Sequence, residues 1–180
     1  MRYKTVLILA VALVNSLILV GPLPGVTPYD DVLVQQANKN LEAGNLEEAL
    51  EDLTQAWQKG THTPEKAFLL GVTYRRMLNY PKARECFEQA ISLKPNFPEA
   101  RRLLADTALA LDKPDLALPQ LQELEKAGYQ PAQTAYLLGL VASKQKRYGE
   151  ALDYFRQAEK DPALAPDAKL QIILVLAAQN

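Results

Sequence analysis

Small and large apolar residues recur along the chain at an interval of thirty-four positions. Within each interval a small residue is followed twelve positions later by an alanine, and four positions after that by a leucine or phenylalanine. Small residues let two helix backbones approach closely, and the large residue fills the space between them. The pattern therefore predicts a helical hairpin that is repeated four times. The sets are Ala37, Ala49 and Leu53; Gly71, Ala83 and Phe87; Ala105, Ala117 and Leu121; and Gly139, Ala151 and Phe155.

The second repeat carries the fullest version of this pattern. Its residues are Ala67, Leu70, Gly71, Tyr74, Tyr80, Ala83, Phe87, Ala90 and Pro95. In this combination and period the chain resembles the tetratricopeptide repeat family, in which each repeat of about thirty-four residues forms two antiparallel helices. The first and third repeats match less well, and no repeat has the family's tryptophan in its first helix. The resemblance implies an all-α superhelix, or solenoid, of four hairpins with the ranges 30–63, 64–97, 98–131 and 132–165.

The C-terminal segment, residues 166–180, predicts one more helix. Pro166 and Asp167 suit its first turn, and it starts where a fifth repeat would begin. We expect one apolar face to cover the fourth repeat through Leu170, Ile173, Leu174 and Ala177. Because a helix that is apolar on every side is normally buried on every side, we expect a further interface at Ile172, Val175 and Leu176. The candidate occupants are a partner protein, the same helix of a second copy in a homo-oligomer, or additional repeats.

Residues 1–25 form a separate segment, which predicts a signal peptide or a membrane anchor. Arg2 and Lys4 precede an apolar run from Val6 to Val20, in which thirteen of fifteen residues are apolar. Residues 5–23 approach the ~20 residues that a helix needs to cross a bilayer, so an uncleaved anchor fits better than a cleaved signal or a buried helix. The basic end should stay in the cytoplasm, which places the repeats outside it. A proline-rich spacer extends to residue 29.

Composition removes several classes of function. The formal net charge is -1, so the chain lacks the basic excess that nucleic-acid binding needs. One cysteine and one histidine cannot supply a zinc site, and the sequence has no glycine-rich phosphate loop or dinucleotide motif. His62 lies in a loop without a neighbouring nucleophile, and Cys86 beside Phe87 is most simply a packing residue. We therefore predict no catalytic site, no metal and no cofactor.

The family resemblance implies a concave groove, built from the first helices of the repeats, that binds a protein or peptide. The corresponding residues are Val34 and Asn38; Phe68, Val72 and Arg75; Arg102 and Asp106; and Tyr136 and Leu140. The clamp that some family members use for a C-terminal carboxylate is absent, since its positions hold Val34, Asn38, Leu69, Glu99 and Leu103. Aromatic and aliphatic side chains with few charges suit an amphipathic or extended segment.

These features together predict a non-enzymatic scaffold for protein–protein interaction. We expect it to be extracytoplasmic, in the periplasm or cell envelope, and either anchored in the inner membrane or secreted. Its groove would bind a partner segment and help to assemble an envelope complex. The alternative is a periplasmic chaperone-like protein that holds unfolded or translocating chains. A scaffold binds one defined protein, whereas a chaperone-like holder binds many.

Overall fold

The computed structural model describes the backbone of residues 28–179 and the side chains of residues 32–179. The predicted signal or anchor of residues 1–25 lies outside this range and stays a prediction. Among the helices that the structure describes, none has the length and apolar character needed to cross a bilayer.

The described chain folds into helices joined by short turns, and it divides into two compact units at residue 62. In the first unit, α1 (Pro28–Ala43) and α2 (Leu46–Lys59) pack together as one hairpin. Ala37 on α1 and Leu53 on α2 are fully buried. The first predicted repeat is therefore a helical hairpin with the expected small and large residues in its core.

The second unit consists of three hairpins and a final helix, which pack consecutively. Prolines occupy the first turns of several helices, where their missing N–H is harmless, and the Thr63 hydroxyl accepts the backbone N–H of Lys66 at the first of them. The predicted all-α repeat architecture is confirmed. The helices are α3 (Pro64–Arg76), α4 (Tyr80–Leu93), α5 (Pro98–Ala110), α6 (Pro114–Lys126), α7 (Pro131–Lys144), α8 (Tyr148–Ala158) and α9 (Ala165–Ala178).

A small residue on the first helix of each hairpin is matched to a large residue on the second. A Cβ atom added at Gly71 would lie 2.6 Å from the ring of Phe87, and the fourth repeat shows the same contact. In the third repeat the small residue is Ala105 instead of a glycine, and the large residue is Leu121 instead of a phenylalanine. The two sizes change in opposite directions, so the pair keeps a similar volume. This contact sets how closely the two helices approach.

The turn inside each hairpin has the same backbone geometry in all four repeats. One residue of each turn adopts a left-handed conformation, with φ between 55° and 86°. The residue after it donates its backbone N–H to a carbonyl five positions earlier, as from Asn79 to Tyr74 at 2.8 Å, and this bond closes the first helix. Because leucine and lysine do not favour this conformation, helix packing rather than turn-favouring sequence sets the geometry at Leu78 and Lys146. The left-handed residues are Gly44, Leu78, Asp112 and Lys146.

Candidate functional site

The first helices of the second unit bring seven predicted groove residues to one surface, which we call the first-helix face. Residues four and seven positions apart lie on the same side of a helix, and α5 contacts both α3 and α7. All seven side chains are half-buried, whereas other sides of the same helices are buried in the core. The seven residues are Phe68, Val72 and Arg75 on α3, Arg102 and Asp106 on α5, and Tyr136 and Leu140 on α7.

An ion pair between Arg75 and Asp106 crosses the first-helix face and joins α3 to α5. Each side chain remains about one-third exposed, at 36% and 32%. Since water screens both charges, the pair contributes at most about 1 kcal/mol to stability. Its larger effect is to make this part of the face locally neutral.

Arg102 lies one turn before Asp106 on α5, close to Tyr129 and Glu99. The Tyr129 hydroxyl donates to a Glu99 carboxylate oxygen over 3.4 Å. Burial and then the Glu99 charge raise the pKa of Tyr129, and the Arg102 guanidinium opposes this shift. The sequence did not point to Tyr129, because it lies in the turn between α6 and α7 rather than on a first helix.

Two guanidinium groups on this face carry hydrogen-bond donors that the protein leaves unused. The Nε atoms of Arg75 and Arg102 are buried and have no acceptor among the described residues. A buried donor without an acceptor is unfavourable. Both atoms are enclosed by the protein, so a bound segment could contact only the exposed parts of these half-buried side chains.

Aromatic rings lie on α3 and α7, on either side of the charged residues of α5. The Phe68 ring centroid is 5.9 Å from that of Phe87 and 5.0 Å from that of Phe97. Tyr136 packs edge-on against Phe155 at 5.7 Å. Burial and then the Asp167 charge raise the pKa of Tyr136, whose hydroxyl is hydrogen-bonded to Gln171. Each half-buried ring thus has one side in the core and part of its surface free for contact.

The remaining two predicted groove residues, Val34 and Asn38, belong to the first unit. They lie one turn apart on α1 and are half-buried. The Asn38 Oδ1 atom is buried and accepts no hydrogen bond from the described residues. They form a small patch of the first unit.

The predicted orientation of the C-terminal helix is wrong. Val175 is 2% exposed and packs in the cluster of Phe155, with Ile172 half-buried against it, so neither residue is free for a partner as expected. Leu170, Ile173 and Leu174, which we expected to cover the fourth repeat, are instead more than half exposed.

The repeat register explains this rotation of α9. The residues thirty-four positions before Ala168, Ile172 and Val175 are all buried between repeats. Because α9 takes the place of a first helix, it buries the same positions. Leu176, which we expected at the further interface, is 45% exposed. The three earlier residues are Thr134, Leu138 and Val141.

His62 and Cys86, the two residues with potentially reactive side chains, both pack against neighbouring residues. The His62 ring stacks on Trp57 with centroids 4.1 Å apart. Burial, and then the charge of Glu85, raise the pKa of the Cys86 thiol to about 11, so at neutral pH the sulfur carries its proton and is a poor nucleophile. Within the described range no group of three or more His, Cys, Asp or Glu side chains is placed to hold a metal ion.

Two protein-family models, both described as tetratricopeptide repeat, match this sequence. One matches residues 102–168 and the other matches residues 68–97. Together these ranges cover more than half of the chain. No curated protein matches it.

Several solved structures are similar in fold. A crystal structure of MamA is 18% identical, with a TM-score of 0.77 over 84% of this chain and 82% of that one. MamA from Desulfovibrio magneticus RS-1, from residue 41 to its end, is 20% identical, with a TM-score of 0.69 over 86% and 98%. YrrB, described as a TPR protein with an unusual peptide-binding site, is 21% identical, with a TM-score of 0.72 over 82% and 76%. At these identities the likeness concerns the fold alone.

Proposed function

The chain belongs to the tetratricopeptide repeat family, and from this premise we propose that it is a non-enzymatic scaffold that binds a segment of another protein on the first-helix face. The observation that carries this proposal is the first-helix face itself, on which seven half-buried side chains of three neighbouring first helices share one surface. Half-buried apolar and aromatic side chains with a few polar groups are the composition of a peptide-binding surface. The peptide-binding site named for YrrB supports the same kind of ligand.

The chemistry of the first-helix face limits the segment that it can bind. Apolar side chains of the ligand would contact Phe68 and Val72 at one end and Tyr136 and Leu140 at the other. Between them Arg102 offers a donor to a carbonyl or carboxylate, while Arg75 and Asp106 neutralise each other. A segment with several charges would lose hydration without gaining partners. The proposed ligand is therefore mostly apolar, with one acceptor group near its middle.

Site-specific photo-crosslinking in cells tests this proposal. A photoreactive residue at Leu140 should crosslink to one defined protein, and the matched position Glu88, exposed on α4, should give no such product. Arg102→Ala in the same chain should weaken binding of the isolated partner by about 10-fold, since a hydrogen bond to a charged group is lost. Equal crosslinking from both positions would reject the face as the binding surface. Many different products from Leu140 would favour the chaperone-like alternative.

We further propose that the chain is exported and that it assembles an envelope complex. The support is the sequence of residues 1–25, in which two basic residues precede an apolar run. A reporter enzyme that is active only outside the cytoplasm, fused after residue 180, should be active. The same fusion lacking residues 6–20 should be inactive. Activity of a cytoplasm-specific reporter in the complete fusion would overturn the proposed location.

A further inference from the structure

The exposed leucines and isoleucine of α9 lie on two different sides of the helix. Ile173 and Leu176 flank Lys169, whose ammonium group is paired with a glutamate at the end of α8. Leu170 and Leu174 are one turn apart and lie about 100° further round the helix, away from this ion pair. We call Leu170 and Leu174 the α9 extension, because only these two continue a surface that has already been described.

The repeat register places the α9 extension in line with the first-helix face. Leu170 lies thirty-four positions after Tyr136, and Leu174 lies thirty-four positions after Leu140. Because α9 buries the same register positions as α7, the two helices have the same rotation about their axes. The α9 extension therefore lies on the same side of the second unit as the face residues of α7.

Direct contacts join α9 to the α7 end of the first-helix face. The Tyr136 hydroxyl is hydrogen-bonded to Gln171, which follows Leu170 in the sequence. Tyr136 and Leu140 also pack against the cluster that contains Val175 of α9. These contacts make the surface continuous from α7 onto α9.

The α9 extension is apolar, whereas the middle of the first-helix face carries charged side chains on α3 and α5. Leu170 is 54% exposed and Leu174 is 52% exposed. Asp167, in the first turn of α9, lies near the Tyr136 hydroxyl and gives the extension a polar edge. A repeat array that ends in water normally carries polar residues on its last helix. Leucines at these two positions instead suit contact with apolar side chains of a ligand.

We propose that the partner segment bound on the first-helix face continues onto the α9 extension, and that its largest apolar side chains lie between α7 and α9. This inference rests on the proposed function and names the part of the partner that α9 selects, a stretch with at least two large apolar side chains and no charge. A charged side chain there would lose hydration without gaining a partner. The continuity of the surface supports this occupant, since a segment that covers α7 reaches α9 with its next side chains. The contact residues are Tyr136 and Leu140 on α7 and Leu170 and Leu174 on α9.

Photo-crosslinking in cells at three positions of the full chain tests the α9 extension. A photoreactive residue at Leu174 should give the same crosslinked protein as one at Leu140, as identified by mass spectrometry of both products. Ile173 is the matched control, because it is 62% exposed on the side of α9 that carries Lys169, and its yield should be lower by about 10-fold or more. A product from Leu140 without one from Leu174, or equal yields from Leu174 and Ile173, overturns the extension and leaves the first-helix face as the proposed site. Absence of a product from Leu140 rejects the proposed function and the extension together.

Calorimetric titration with the purified partner identified by crosslinking measures what the α9 extension contributes. The double variant Leu170→Ser/Leu174→Ser should bind the partner more weakly by about 10-fold or more, because two leucine contacts are lost. The matched control Ile173→Ser/Leu176→Ser removes two exposed apolar side chains from the other side of α9 and should bind like the wild type. Circular dichroism verifies that both variants keep their helices. Wild-type affinity of the first variant, or equal weakening by both, overturns the extension, while Arg102→Ala tests the first-helix face independently.

Discussion

Replacing Phe87 with alanine should lower the free energy of unfolding of the second unit by about 3–5 kcal/mol. The Phe87 ring is fully buried, lies against the backbone of Gly71 and touches the ring of Phe68. Glycine has no side chain that could move into the resulting cavity, so the site collapses poorly and the cost should fall in the upper part of the range. Urea unfolding followed by far-ultraviolet circular dichroism measures the change.

Leu93→Ala is the control for this prediction. Leu93 is on the same helix, α4, but 44% exposed, and its truncation should cost less than about 1 kcal/mol. Hydrogen exchange adds a local test, because the amides of α3 and α4 should exchange faster in Phe87→Ala than in Leu93→Ala. A cost below about 1 kcal/mol for Phe87→Ala would mean that the ring does not fill the space beside Gly71.

The hairpins were predictable from sequence because their pattern contains both periods of the fold. Helical spacing within a repeat and the thirty-four-residue interval between repeats point to the same buried residues, such as Ala83 and Phe87, and the structure buries both. The residues of the first-helix face were predictable for the same reason, since each lies at a fixed offset from the small residue of its helix. Local pattern and global packing agree at these positions.

The orientation of α9 was not predictable from its own sequence. The seven residues from Ile172 to Ala178 are all apolar, so no polar side marks which residues face water. Its burial is decided by contact with α8, which selects Ile172 and Val175 through the register of the repeats. Contacts between turns and helices, such as Tyr129 with Glu99, are likewise invisible in a linear pattern because they depend on packing between repeats.

Gly71→Ala should destabilise the second unit by about 1–3 kcal/mol, although alanine is the better helix former. The added Cβ would lie 2.6 Å from the Phe87 ring, and a fully buried ring has little space in which to shift. The third repeat shows how the chain accommodates a methyl group at this position, because it combines Ala105 with Leu121. The double variant Gly71→Ala/Phe87→Leu copies that combination and should recover most of the lost stability.

Gly149→Ala is the matched control, because a Cβ atom there meets nothing within 4 Å. This substitution lies in α8 and should raise the free energy of unfolding by up to about 1 kcal/mol through helix propensity alone. Thermal unfolding of the wild type, Gly71→Ala, Phe87→Leu and the double variant gives the coupling energy between positions 71 and 87. This energy should exceed about 1 kcal/mol in favour of the double variant. Additive effects would show that the two side chains do not compete for one volume. Strong coupling would establish that the opposite changes of size between repeats are compensating.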